Sequence, residues 1–337
     1  MASRRPKLTL VFLVLRLGSS AIGNLGDVVL FLKTTMWGLF LIAVTPTIIA
    51  LSDPKNAFEG VGGRLNAGPD PTTMTAASVM LIAVILFTLE KKPIYIGVAV
   101  VGVAVMLLCL GKTGNAAGIF SLMLFFVLQR KFFRSLGLLL AIGAIAAIIL
   151  SATPLADHLE SYQGTSTLTG RTVIWEKGIE GFKQSPIWGH GYLASYFSFD
   201  KNSDLANKAL NLHNSFLEVA YNNGLLGFIA LLMVNVVIVR STFKSMGTAS
   251  LLRERWPTEK SFNTAYILSV GTLALYTNLF INSLLNVAFA GKANNNYMLF
   301  LALFFISDWL RRYTDGMKRD AVSGATVWRT EWQLAAQ

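Results

Sequence analysis

Long apolar runs recur along this chain, and no other feature constrains its fold as strongly. Several reach about 15 to 25 residues, and a membrane-spanning helix needs roughly 20. In lipid only helices and closed barrels satisfy every backbone group, and these runs lack a barrel's period-2 alternation. The expected fold is therefore all-α, a polytopic transmembrane helical bundle of about 8–10 spans forming a single integral membrane unit over 1–337. Only 14% of the residues are charged, against roughly 25% in a soluble domain, which agrees.

The first run, 8–33, is broken by Arg16, Gly18, Gly23, Gly26 and Asp27. It reads as one poor span or a re-entrant hairpin. Arg4, Arg5 and Lys7 before it imitate a secretory signal, but Arg16 interrupts the core of such a signal and the segment reads as uncleaved. Clearer spans follow at 36–51, 75–89, 94–110, 115–129 and 133–151. A large polar loop occupies 152–212 and contains short amphipathic helices. Further spans are expected at 214–239, 262–285 and 296–310, with a polar tail from 311 to 337. The single cysteine, Cys109, lies inside a span, so a disulfide within the chain is excluded.

The net charge of +11 would suit a nucleic-acid binder, but its distribution fits a membrane protein better. Lys and Arg collect in cytoplasmic loops and face anionic lipid there. The loops at 90–92, 129–134, 240–261 and 311–337 are dense in them, and the loops between are sparse or long. The dense set is read as cytoplasmic. The C-terminus then lies inside, and the 152–212 loop, Arg64, Lys112 and Lys292 lie on the opposite face, the periplasm in a bacterium. No nucleotide donor is available there, so a reaction on that face needs a donor that arrives already activated.

Within the loop, Thr169 is placed to cap a helix of about 13 residues with Ile174, Gly178, Ile179 and Phe182 on one face. Arg171 falls in the first turn, where the helix dipole disfavours a cation unless an anion binds. Free N–H groups plus a guanidinium suit a phosphate; snorkelling to lipid headgroups, or pairing with Asp157 or Glu160, is the plainer role. His213 stands where the loop re-enters the membrane, before the capping residues Asn214 and Ser215. The helix N-terminus disfavours the imidazolium and leaves a neutral ring able to accept a proton or a hydrogen bond. An interfacial histidine with no chemistry is the alternative. His190, between Gly189 and Gly191, reads as a turn residue, and His158 has no supporting context. Neither metal-ligand spacing nor a nucleotide loop occurs, and Lys112 to Gly114 is too short for a P-loop.

The order of these motifs resembles the O-antigen ligase and polysaccharide polymerase family. The residues that carry it are Leu168-Thr169-Gly170-Arg171, Trp175, Pro186-Ile187-Trp188-Gly189 with Gly191, His213-Asn214-Ser215-Phe216-Leu217, and Gly224-Leu225-Leu226-Gly227. The resemblance implies a multi-pass glycosyltransferase of the bacterial inner membrane. It implies an undecaprenyl-pyrophosphate-linked glycan donor, a glycan or lipid A-core acceptor, and no metal or other cofactor. Other envelope polysaccharide assembly proteins are expected partners, nucleic acid is not. On this reading Arg171 stabilises the pyrophosphate leaving group while His213 orients or deprotonates the acceptor hydroxyl. Lys112, Arg64, Asn214 and Trp175 are weaker candidates for binding pyrophosphate or glycan, and Trp188 and Tyr192 are candidate stacking faces. Two departures stand out. Where family members often carry Ser-Arg after a short outer turn, this chain has Lys112-Thr113-Gly114-Asn115, and Lys112 takes the arginine's place. Between Gly191 and His213 the chain has Lys201 and Lys208 where some ligases carry an arginine, which tilts the expectation toward a polymerase. The N-terminal part is short against typical members, so early spans are expected to be missing. From other classes, a transporter of lipid-linked sugars and a non-catalytic envelope subunit are the competing readings.

Overall fold

The computed structural model describes residues 22–52, 69–109, 111–131, 171–196, 212–286 and 295–323, with 137, 143 and 144. The expected span at 133–151, the loop segments 152–170 and 197–211, Arg64, Thr169 and His158 lie outside the described residues. Every regular element among those described is helical. The order is α1 (Leu25–Leu51), α2 (Pro69–Glu90), α3 (Ile94–Cys109), α4 (Lys112–Leu128), α5 (Arg171–Gln184), a 3-10 turn (Ala194–Tyr196), α6 (Ser215–Arg255), α7 (Lys260–Leu285) and α8 (Asn295–Ser323).

Four of these helices are long and apolar enough to cross a membrane: Leu25–Leu51, Pro71–Glu90, Ser215–Arg255 and Lys260–Leu285. α3 and α4 are shorter apolar helices. α2 and α7 form the interior, with 78% of the apolar window buried in each. α2 packs against α1, α3, α4 and α7, and α7 against α2, α4, α6 and α8. α1 and α6 instead bury 28% and 22% of their windows and turn apolar faces such as Leu30, Leu41, Met233 and Val236 outward. Low burial of an apolar helix is stable only where the surroundings are themselves apolar, as lipid is.

Three boundaries differ from those expected, each for a local reason. α1 begins at Leu25, not at 36, because Gly26 and Asp27 start the helix and do not break it. The Asn24 side chain accepts from Asp27 N at 3.1 Å, and the Asp27 carboxylate accepts from Asn24 N at 3.0 Å, a reciprocal capping box. α6 runs on through the expected basic loop to Arg255. Beyond a break at Gly224 the helix runs unbroken to Arg255, about 45 Å against the roughly 30 Å of a hydrocarbon core. Charges do not stop a helix, and Arg253 and Arg255 in the last turn complement its dipole. α8 likewise continues past Arg311 to Ser323, with Asp308 paired to Arg311 at 2.7 Å and Arg312 at 3.1 Å on its own face.

The helix ends sort as the alternation of basic loops requires. Lys33 pairs with Glu90, and Tyr266 Oη donates to Leu128 O at 2.5 Å. The ends of α2 and α4 and the start of α7 therefore share one end of the bundle, which also holds Lys91, Lys131 and Arg253. Asn214 Nδ2 donates to Leu284 O at 3.0 Å, so the start of α6 and the end of α7 meet at the other. Of the residues singled out in the sequence, Lys112, Arg171, Trp175, His213 and Asn214 are described, and they lie toward that second end.

Candidate active site

α5 lies against the first turns of α6 on a face of small residues. Ile174, Gly178 and Gly181 are its buried positions. Ile179, expected on that face, is exposed, and Gly181 takes the place. A Cβ at Gly178 would come within 2.9 Å of Leu217 Cδ2, and one at Gly181 within 2.1 Å of the Tyr221 ring. Only glycine lets the two helices approach this closely.

Arg171 is the first residue of α5 and half-buried. Its Nη2 donates to Asn286 Oδ1 at 3.4 Å. Asn286 caps the C-terminus of α7, where its own N–H returns to Asn282 O at 2.8 Å. Ser215 Oγ donates to the Asn286 carbonyl at 3.3 Å. Asn286 thus joins Arg171 to the start of α6. The sequence reading missed it, although Asn278, Asn282 and Asn286 fall at i, i+4 and i+8 on an apolar helix and all three are buried. Such a polar stripe inside a span is a signal in itself.

Asn214 is the N-cap of α6, and its Oδ1 accepts from Phe216 N at 2.9 Å and Leu217 N at 3.0 Å. With its Nδ2 on Leu284 O, Asn214 is fully engaged in holding the two helix ends together. His213 precedes it in the left-handed region, φ 48°, and is half-buried. A histidine there carries strain of about 1–3 kcal/mol unless its surroundings over-determine it. The surroundings do so from the preceding residue. Trp175 Nε1 donates to Leu212 O at 2.9 Å, and Leu212 N donates to Glu218 Oε2 at 3.1 Å. Trp175, Arg171, His213 and Asn214 therefore form one connected group. Lys112 opens α4 at the same end of the bundle and is exposed.

Glu218 is the second residue the sequence reading passed over. It is 0% exposed. Besides Leu212 N, its carboxylate accepts from the Ser195 hydroxyl and from Asn222 Nδ2 at 3.2 Å. Asn222 Oδ1 in turn accepts from Ser195 N at 3.0 Å. A lone carboxylate in the first turns of an apolar helix is costly unless bonded this way. It ties the chain at 195 and at 212 to the same helix. Glu218→Ala takes the acceptor from two buried donors, Leu212 N and the Ser195 hydroxyl, and one of two from Asn222 Nδ2, so a destabilisation of about 3 kcal/mol is expected. Thermal unfolding of the detergent-purified variant, several degrees below wild type, checks this.

The segment 186–191 is built onto α6 chiefly through its backbone. His190 N donates to Tyr221 O at 3.0 Å, Gly191 N to Asn222 O at 2.8 Å, and Leu225 N to Pro186 O at 2.7 Å. α6 opens at Gly224, φ 65° and ψ −165°, to release these carbonyls. A Cβ at Gly224 would stand 2.2 Å from Ile187 O, and one at Gly189 (φ 69°) 2.5 Å from Asn222 O. Both glycines are required by φ and by space. The His190 ring stacks on Tyr221 at 4.6 Å, with Nε2 2.7 Å from Gly181 O, so its polar atom is engaged in this joint. Trp188 and Tyr192 are 75% and 67% exposed at its tip.

Fold and site together define a multi-pass membrane protein with a cation, a histidine and a capped helix start convergent at one end of its bundle. Residues 110–232 match the family model described as O-antigen ligase. The match takes in α4, α5 and the first turns of α6. The exopolysaccharide production protein ExoQ of Rhizobium meliloti is 36% identical over 103 residues, 28% of this chain and 24% of that protein. An uncharacterized protein of Haemophilus influenzae is 32% identical over 104 residues, 29% of this chain and 26% of that one. The aligned stretch thus spans about a quarter of each of these relatives.

Proposed function

We propose that this protein is a metal-independent membrane glycosyltransferase that transfers or polymerises undecaprenyl-pyrophosphate-linked oligosaccharide at the periplasmic face of the bacterial inner membrane. The observation that carries the reading is that Arg171, bonded to Asn286, and Trp175, bonded to the residue before His213, stand at the same end of the bundle, with Arg171, Trp175 and His213 all inside the region that matches the O-antigen ligase model. Transfer proceeds by displacement at the anomeric carbon. The acceptor oxygen forms the new bond, the bond to the pyrophosphate oxygen breaks, and the acceptor's proton passes to a base. Arg171 meets the charge that grows on the leaving group, where fixed donors act most strongly. His213 orients the acceptor hydroxyl and takes its proton. Trp175 holds Leu212, and so the backbone that presents His213. Lys112 and Arg64 supply further positive charge for pyrophosphate. The named relative's role in exopolysaccharide production favours a polymerase over a ligase that uses lipid A core.

The face is tested directly. A reporter inserted between Trp256 and Glu259, or fused after Arg134, is expected to read cytoplasmic, and one within 197–207 periplasmic. The reverse pattern removes the lipid-linked donor from the site and ends this reading. The reaction is tested by extension of an undecaprenyl-pyrophosphate-linked glycan by the purified chain in chelator, where lengthened product is expected. Loss of product in chelator and its return with a divalent cation would overturn the metal-independent mechanism.

A further inference from the structure

At the end of the bundle away from Arg171, the ends of α2, α4 and α6 and the start of α7 enclose a cavity of about 390 Å³. Lys91, Lys131, Arg253 and Lys260 line it, together with Gln129. Among the described residues no carboxylate lies in ion-pair range of Lys91, Arg253 or Lys260. Glu90 nearby is already bound to Lys33, Lys92 and Tyr95. The general excess of basic residues on a cytoplasmic face would place cations here. It does not account for what surrounds them.

The Arg253 guanidinium lies flat over the Tyr266 ring at 3.9 Å, and that ring is fixed by its hydroxyl on Leu128 O. The cation is thus held in place before any ligand arrives. Gln129 is only 8% exposed. Its Oε1 accepts from Lys131 Nζ at 2.7 Å, which orients the amide, and its Nε2 is buried with no hydrogen-bond acceptor. A buried donor left unpaired is costly and calls for an acceptor. Four cations around one cavity make a site for an anion with several acceptor oxygens.

We infer that this pocket binds a phosphate-type anion, by Arg253 and Lys131 at its wall and Lys91 and Lys260 at its mouth. Two sources offer that chemistry, the headgroup of an anionic phospholipid and a soluble phosphate. The site stands apart from Arg171 and His213, and the inference does not depend on the glycan reading.

The test uses the delipidated full chain in dodecyl maltoside, which carries no phosphate. Thermal unfolding is followed with added cardiolipin or with added inorganic pyrophosphate. A ligand that binds only the folded state at saturation raises the midpoint by a few degrees, roughly 2–4 °C per kcal/mol gained. A rise with cardiolipin alone identifies a headgroup site, and a rise with pyrophosphate alone a soluble-anion site. Lys91→Gln with Lys260→Gln, both at exposed positions, is expected to lose most of the rise without lowering the ligand-free midpoint. Gln129→Glu places a carboxylate among the four cations. It is expected to unfold at or above the wild-type temperature and to respond to neither anion. Equal rises in wild type and both variants, or no rise with either anion, overturn the inference.

Discussion

Arg171→Lys is expected to abolish most glycan transfer while leaving membrane levels of the protein unchanged. The substitution keeps the charge. It removes the planar fork that grips two oxygens at once and that reaches Asn286 Oδ1. If the arginine stabilises the departing pyrophosphate, the loss in rate is of the order of 10²–10³, the usual effect of removing one fixed donor from a developing charge. The Lys variant keeps the charge and the long aliphatic stem, so the unfolding temperature is expected to stay near wild type. The extension assay with purified protein decides the matter. Near-normal product from the Lys variant would return Arg171 to the headgroups.

His213→Ala is the second variant with a large expected effect, a fall in transfer of about 10²-fold or more if the imidazole moves a proton. His213→Gln separates two roles: partial recovery means hydrogen bonding suffices, and almost none means proton transfer. Wild-type activity should fall as pH drops through the histidine's titration, because the imidazolium cannot accept a proton. That dependence should vanish from any residual activity of the Gln variant. The backbone adds a control. At φ 48° a glycine is unstrained, so His213→Gly should unfold at no lower temperature than His213→Ala while remaining as inactive. If His213→Ala retains full activity with the wild-type pH profile, the imidazole has no part in the chemistry. Helix capping would be intact in every variant, since Asn214 alone accepts from Phe216 N and Leu217 N.

The sequence made some of this legible and hid the rest for physical reasons. The apolar runs revealed the helices, because length and hydropathy act locally. They misplaced helix ends wherever charge was taken for a stop. Arg240 and Arg311 lie inside α6 and α8, and Asp27 begins α1 by capping it. Arg171 and His213 stood out through their places at helix starts. Glu218 and Asn286 did not, since their importance comes from partners far along the chain, Ser195 in one case and Arg171 in the other. Glu218 was nonetheless a visible anomaly, a lone acid near the start of a long apolar run. Trp175 was read as a possible sugar face, and only the fold shows its indole N–H holding the residue before His213. The family resemblance rested on residues 168–227, and these lie wholly inside the matched region, 110–232.

The joint between the 186–191 turn and the opened backbone at Gly224 sets the unit in which this site can be exchanged. Three main-chain hydrogen bonds, two facing glycines and the stack of His190 on Tyr221 register the turn against α6. A chimera that imports a foreign loop but keeps the resident α6 would inherit a socket cut for a different plug. The smallest transplantable block therefore runs from the start of α5 through Gly227, extramembrane turn and membrane helix together. Chimeras that exchange this site should place their seams outside that block, in the uninterrupted part of α6.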